Sequence, residues 1–119
     1  MFNDEDIISR YTSAQAEEDG ILFNIIRLNK AWEKGLFNYV TTNLLIKCGY
    51  MGKEGQINIP NLLDLLNQCN QLVRRVSDNF QNFNTFFSGQ IELPDGSKQL
   101  VFIGINETEK FTIMLPEDN

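Results

Sequence analysis

Histidine is missing altogether from this 119-residue chain. Without an imidazole, Ser-His-Asp and Cys-His nucleophilic catalysis, the usual zinc sets and a charge switch near neutral pH all fall away. Cysteine is nearly as scarce. Cys48 and Cys69 stand in separate apolar helical patterns, too few for a cysteine-only zinc site, and read as two reduced core thiols. No apolar run approaches the ~20 residues that span a bilayer. Residues 1–10 are acidic with no apolar signal-peptide core, so the expected setting is the cytoplasm with no membrane partner. Basic residues are outnumbered, 10 against 16 acidic, for a net charge of −6. A surface of that sign repels phosphate, which disfavours direct contact with nucleic acid.

What is present begins with an uneven distribution of that charge. Asp4, Glu5, Asp6, Glu17, Glu18 and Asp19 face only Arg10 within residues 1–20, so most of the negative charge belongs to the N-terminal end. Length and a 42% hydrophobic content fit one domain over residues 1–119 with a single core. Six of the nine phenylalanines fall between Phe80 and Phe111, where that core should be densest.

Residues 4–11 read as a short helix or acidic arm with Ile7, Ile8 and Tyr11 on one side. Thr12-x-x-Gln15 is a capping box, and Gly20 fits the left-handed position that stops the helix behind it. Residues 21–26 form an apolar run expected as a strand, with a helix as the alternative. After a polar stretch around Trp32, the spacing of Phe37, Val40, Thr41, Leu44, Leu45 and Cys48 predicts one helix over residues 36–49. Pro60 suits the first turn of the longest element. There, Leu62, Leu66, Cys69, Val73, Val76, Phe80 and Phe83 recur at steps of four and three, with Leu63, Leu65 and Leu72 widening the stripe. A narrow seam would suit a dimer or a partner helix; the widened stripe suits a core helix lying on a sheet.

Past Phe83 the period becomes alternating. Residues 85–93, 98–105 and 111–115 read as three strands, joined by Leu93-Pro94-Asp95-Gly96-Ser97 and by a second turn over 106–110. The expected fold is therefore α+β: helices in the N-terminal two-thirds packed on a C-terminal three-stranded antiparallel meander, with residues 21–26 as a candidate fourth strand.

Carboxylates are the only candidate acid–base groups. Glu17, Glu18 and Asp19 near one end and Glu117 and Asp118 near the other form the candidate binding residues, read as a solvated acidic edge rather than a catalytic pair. No D-x-D or EF-hand spacing marks a metal site. Gly52-Lys53-Glu54-Gly55 lacks the strand–loop–helix frame of a P-loop. Gly89 and Gly104 inside strands point to close packing or a bulge. Neither catalytic residues nor a cofactor emerge.

The segment Ile8-Ser9-x-Tyr11-Thr12-x-x-Gln15-Ala16-x-x-Asp19-Gly20-Ile21-Leu22 resembles the opening signature of a domain-of-unknown-function family. Its members are small bacterial and archaeal proteins, often carried on plasmids and phages. The closing Phe111-Thr112-Ile113-Met114-Leu115-Pro116-Glu117-Asp118 is similar to the same family's ending. In that family an Arg commonly follows the Tyr-Thr pair, where this chain has Ser13, so any contact made by that Arg would be lost here. The resemblance implies no activity, substrate or catalytic residue.

The leading expectation is a small non-enzymatic interaction protein, an accessory factor of a mobile element. It would be a monomer or weak homodimer acting on an unknown protein partner through its acidic ends. The alternative is a protein that binds a small molecule or nucleotide derivative between helices and sheet, with Trp32 and Phe86 as first residues to test. A carboxylate- and metal-dependent enzyme ranks last, for want of a catalytic constellation. The two terminal segments are expected to meet in the fold and to gather their acids into one region.

Overall fold

A computed structural model describes residues 12–79 and 86–119, apart from the side chains of residues 76–79. The arm at residues 4–11 and the seam positions Phe80 and Phe83 lie outside the described residues, as does the side chain of Val76. In chain order the elements are α1 (Ser13–Glu18), β1 (Leu22–Asn24), β2 (Phe37–Thr41), α2 (Thr42–Lys47), α3 (Ile59–Asn79), β3 (Phe86–Glu92), β4 (Lys98–Ile105) and β5 (Phe111–Met114). Short 3-10 turns occupy Ile25–Arg27, Lys30–Lys34 and Pro116–Asp118.

The fold is α+β, and the meander β3–β4–β5 is antiparallel as the alternation implies. The sheet is larger than a meander, however. It has five strands in the order β1-β2-β5-β4-β3, and it is mixed because β2 runs parallel to β5. The strand expected within 21–26 forms at Leu22–Asn24 and pairs antiparallel with β2 at the sheet's edge.

The expected single helix over 36–49 is the main correction. Its first half is β2, and only Thr42–Lys47 is helical. Phe-Asn-Tyr-Val-Thr is rich in aromatic and β-branched residues, which favour a pleated setting. The apolar spacing fitted a helix only because β2 and α2 bury consecutive residues. Thr41 marks the boundary: its backbone is extended, and its hydroxyl accepts the Leu44 N–H at 3.3 Å as the helix cap.

Each strand's alternation divides the sheet into two faces. One carries Val40, Ile113, Ile103, Val101, Phe87 and Ile91, and it meets Leu62, Leu65, Leu66, Cys69 and Val73 of α3 in a single core. The widened stripe of α3 is thus core packing at its described positions except Leu63, which is exposed. Each fully buried Leu or Ile contributes roughly 1.5–3 kcal/mol over its exposed state. At Gly89 the sheet comes close to α3: a Cβ there would stand 2.6 Å from Leu72 Cδ2, so any larger residue would require the Leu72 side chain to shift. Asn58 caps α3 by accepting the Asn61 N–H at 3.1 Å, with Pro60 in the first turn behind it.

The other face carries Tyr39, Thr41, Thr112, Gly104, Phe102 and Phe86, and α1 lies over part of it. As its sequence requires, α1 is locked at both ends. Thr12 and Gln15 form the reciprocal capping box. Behind it, Gly20 sits at φ +79° while the Ile21 N–H donates to Ala16 O and the Gly20 N–H to Glu17 O.

Candidate functional site

The two terminal signatures do meet. Thr12, Ser13, Ala16, Ile21 and Leu22 from the first and Thr112, Met114 and Asp118 from the second line one small cavity of about 250 Å³ above Thr41 and Asn106. Its polar groups are occupied with one another. Asp118 accepts from the Thr41 hydroxyl at 2.7 Å, the Asn43 amide at 3.0 Å and the Leu115 N–H at 3.1 Å. Asn106 donates to Asn38 Oδ1 at 2.8 Å and to the Thr112 hydroxyl at 3.0 Å. Ser13 gives both its N–H and its hydroxyl to Glu107, each at 2.8 Å. A set of buried and half-buried polar groups satisfied in this way, with exposed Glu107 closing it at Ser13, specifies a fold and leaves little for a ligand to bond.

The five candidate acids behave accordingly. Glu17 pairs with Arg27 and accepts from the Tyr39 hydroxyl at 3.4 Å. Glu117 pairs with Lys47 at 2.7 Å and takes the Asn43 amide at 3.0 Å. The hydrogen bond from Lys47, with that from Asn43, holds the Glu117 carboxyl below its ordinary value. Asp118 turns inward, whereas Glu18 and Asp19 remain exposed. Glu117 and Asp118 therefore share the Asn43 amide, whereas Glu17 is engaged separately by Arg27 and Tyr39. Among the described residues no group of three or more Cys, Asp or Glu side chains is placed to hold a metal ion.

Both cysteines are free. Burial pushes the Cys69 thiol up to about 12 and also raises that of half-buried Cys48. Both shifts disfavour the thiolate, the form that nucleophilic chemistry needs.

A different arrangement lies between α3 and the segment that joins β1 to β2. A cavity of about 560 Å³ opens there, lined by Ile25, Trp32, Leu36, Phe37, Leu66 and Val73 on its apolar walls. Lys34, Asn67, Asn70 and Arg74 supply its polar positions. The α3 contributors Leu63, Leu66, Asn67, Asn70, Val73 and Arg74 follow helical spacing along one stripe, beside the core stripe. Leu36 and Leu63 remain 39% and 44% exposed at the cavity.

The opposite wall is irregular backbone held by specific bonds. Asn24 and Asn29 cap the turns at Ile25–Arg27 and Lys30–Lys34 by accepting the Ile26 and Ala31 N–H groups, each at 3.0 Å. Lys110 Nζ then donates to the carbonyls of Glu33 and Gly35, both at 2.6 Å, and the Phe111 N–H donates to Leu36 O at 2.8 Å. The wall bearing Trp32 is in this way tied to the start of β5. Asn67 and Asn70 differ from the polar groups of the small cavity. Among the described residues their carboxamides have no hydrogen-bond partner, and neither Lys34 nor Arg74 has an acidic one.

Of the residues singled out in the sequence for a ligand pocket, Trp32 lines this cavity. Phe86 does not: it lies on the other sheet face, its ring edge-on to Phe102 with centroids 5.0 Å apart. Asn67, Asn70 and Arg74 escaped sequence reasoning because polar residues flanking an apolar stripe look like any solvated helix side. Their shared helical row was the only available signal.

Comparison of the chain with family models, curated proteins and solved structures returns no match.

Proposed function

We propose that this chain binds a small organic molecule in the cavity between α3 and the Trp32 segment. The observation that carries the proposal is the pair of carboxamides, exposed Asn67 and half-buried Asn70, which have no partner among the described residues and stand beside the apolar walls of an open cavity of about 560 Å³. Ligand sites commonly join such walls to a few convergent polar groups, in volumes of roughly 300–1,000 Å³. Binding, rather than turnover, is the chemistry supported by raised thiols and by carboxylates engaged elsewhere.

The lone tryptophan makes the test direct, because its emission reports on this one wall. A fluorescence titration across a chemically varied compound library should yield ligands that shift Trp32 emission and raise the melting temperature. Filling the cavity with Asn70→Trp should abolish that stabilisation while the variant keeps its circular dichroism. Ligands that stabilise wild type and Asn70→Trp equally would place binding elsewhere and defeat the proposal.

Protein interaction, including an accessory role for a mobile element, is the second reading. The observation favouring it is the sheet face opposite α3, where Phe86 and Leu100 are 45% and 40% exposed beside half-buried Phe102. Exposed apolar side chains grouped on one face are a common feature of protein-binding surfaces. A partner lost on Phe86→Glu, with ligand binding at the cavity intact, would separate this reading from the first.

A further inference from the structure

Building on the cavity as a binding site, we infer that its ligand is a small organic anion, with a carboxylate or phosphate at one end and an apolar or planar body. The charge of the lining differs from that of the chain around it. Acids outnumber bases 16 to 10 in the sequence, yet among the described residues the cavity is lined by Lys34 and Arg74 and by no Asp or Glu.

These two cations are also uncommitted. Arg27 is taken up by Glu17, Lys47 by Glu117, and Lys110 by the carbonyls of Glu33 and Gly35. Lys34 and Arg74 have no acidic partner among the described residues. Lys110 adds to the effect from behind the wall. By occupying the Glu33 and Gly35 carbonyls, it offsets the negative ends of the dipoles beside Lys34.

The rest of the lining fits the rest of such a ligand. Trp32 and Phe37 offer aromatic surface, and Leu66 and Val73 offer aliphatic surface, for the ligand body. Asn67 and Asn70 each bring a donor and an acceptor, so they can bond the edge of a heteroaromatic ring or a second oxygen of the anion. A guanidinium matches the two oxygens of a carboxylate or phosphate, and an ammonium adds a point charge beside it. Among the described lining residues a cationic ligand would meet two like charges and no opposite one. A neutral one would leave both cations without a partner.

A matched series tests charge apart from shape: 1-naphthoate, 1-naphthyl phosphate, 1-naphthylmethanol and 1-naphthylmethylammonium, titrated calorimetrically into the full chain at low ionic strength. Both anions should bind at least tenfold tighter than the alcohol, and the ammonium should bind weakest. Their relative affinities show which anionic group the site prefers. The advantage of the anions should shrink in 0.5 M salt, because exposed charges are screened over roughly 3–10 Å between 1 M and 0.1 M.

Lys34→Gln with Arg74→Gln should bring the anions down to the level of the alcohol. Arg75→Gln, one position outside the lining, should leave the series unchanged. Equal binding of alcohol and anions would overturn the charge inference while leaving the cavity as a binding site. Anion binding that survives the double substitution would place it elsewhere and overturn the inference too. Binding by none of the four would count against both readings. Circular dichroism of the double variant separates lost affinity from lost folding.

Discussion

The turns at 93–97 and 106–110 have the same backbone bonding and opposite roles. In each, the first residue's N–H donates to the carbonyl of the fifth, and the fourth residue's N–H returns to the carbonyl of the first. In each, the fourth residue is left-handed: Gly96 at φ +89° and Glu109 at φ +68°. The first turn is chemically self-sufficient. Pro94 presets its φ, and Asp95 accepts the Ser97 N–H at 2.9 Å and its hydroxyl at 2.6 Å. The second places a side-chain-bearing residue where glycine is preferred, yet its residues reach three other parts of the molecule. Asn106 reaches Asn38 and Thr112, Glu107 reaches Ser13, and Lys110 reaches Glu33 and Gly35. Local ease and tertiary responsibility are divided between the two turns.

The largest effect should come from removing the centre of the second network. Asn106→Ala takes partners from Asn38 and Thr112, both 6% exposed, and an acceptor from Thr108. Leaving buried polar groups unsatisfied costs about 1–3 kcal/mol each. Urea unfolding should therefore show a loss of ~2–3 kcal/mol for Asn106→Ala and a clearly smaller loss for Asp95→Ala, whose bonds are exposed. Similar losses at the two sites would mean that the division of roles is mistaken.

The turns also show what the sequence can and cannot reveal. Leu93-Pro94-Asp95-Gly96-Ser97 announces itself because every residue suits the turn locally, and the Thr12–Gln15 box with Gly20 does so for the same reason. The 106–110 turn is visible only as a polar break, because Glu109 gives no local sign of a left-handed backbone. β2 was hidden because apolar spacing cannot separate a buried strand followed by a helix from one amphipathic helix. The parallel pairing of β2 with β5 joins segments far apart in the chain and leaves no local trace. At the candidate site, Trp32 was legible by its rarity. Asn67, Asn70, Lys34 and Arg74 were not, since their significance lies in the partners they lack among the described residues.

Exchanging the left-handed residues sharpens the comparison at a smaller scale. A left-handed backbone costs a side-chain-bearing residue roughly 1–2 kcal/mol, while glycine's greater freedom when unfolded costs roughly 0.5–1 kcal/mol. Gly96→Ala should therefore destabilise, and Glu109→Gly should stabilise, each by about 0.5–1 kcal/mol, the difference between those two terms. No Cβ clash complicates the first change, because a Cβ at Gly96 meets nothing within 4 Å. A loss of stability in Glu109→Gly would show that the glutamate makes a contribution beyond its backbone angle.

The smallest effect is the most local, and it lies in the response of each turn to acid. Burial pushes the Glu107 carboxyl up, but the Ser13 N–H and hydroxyl more than offset this and hold it below its ordinary value. Asp95 is held low by the Ser97 hydroxyl and N–H. A carboxylate whose folded value is depressed adds stability above its unfolded value, about 4 for these residues, and loses it as pH falls through the folded value. Both turns should therefore weaken below about pH 4, with different consequences. The six residues of α1 are too few to hold a helix unaided, so it depends on its caps and on packing. Protonating Glu107 withdraws a charged partner from the start of α1, where the N-terminal dipole favours negative charge. Protonating Asp95 loosens only its own turn. Hydrogen exchange between pH 6 and pH 3.5, corrected for intrinsic rates, should show α1 amides losing protection selectively, and Glu107→Gln should flatten that pH response. Asp95→Asn should leave α1 unchanged. If α1 loosened with acid equally in wild type and Glu107→Gln, the cap from the second turn would not be what couples this helix to pH.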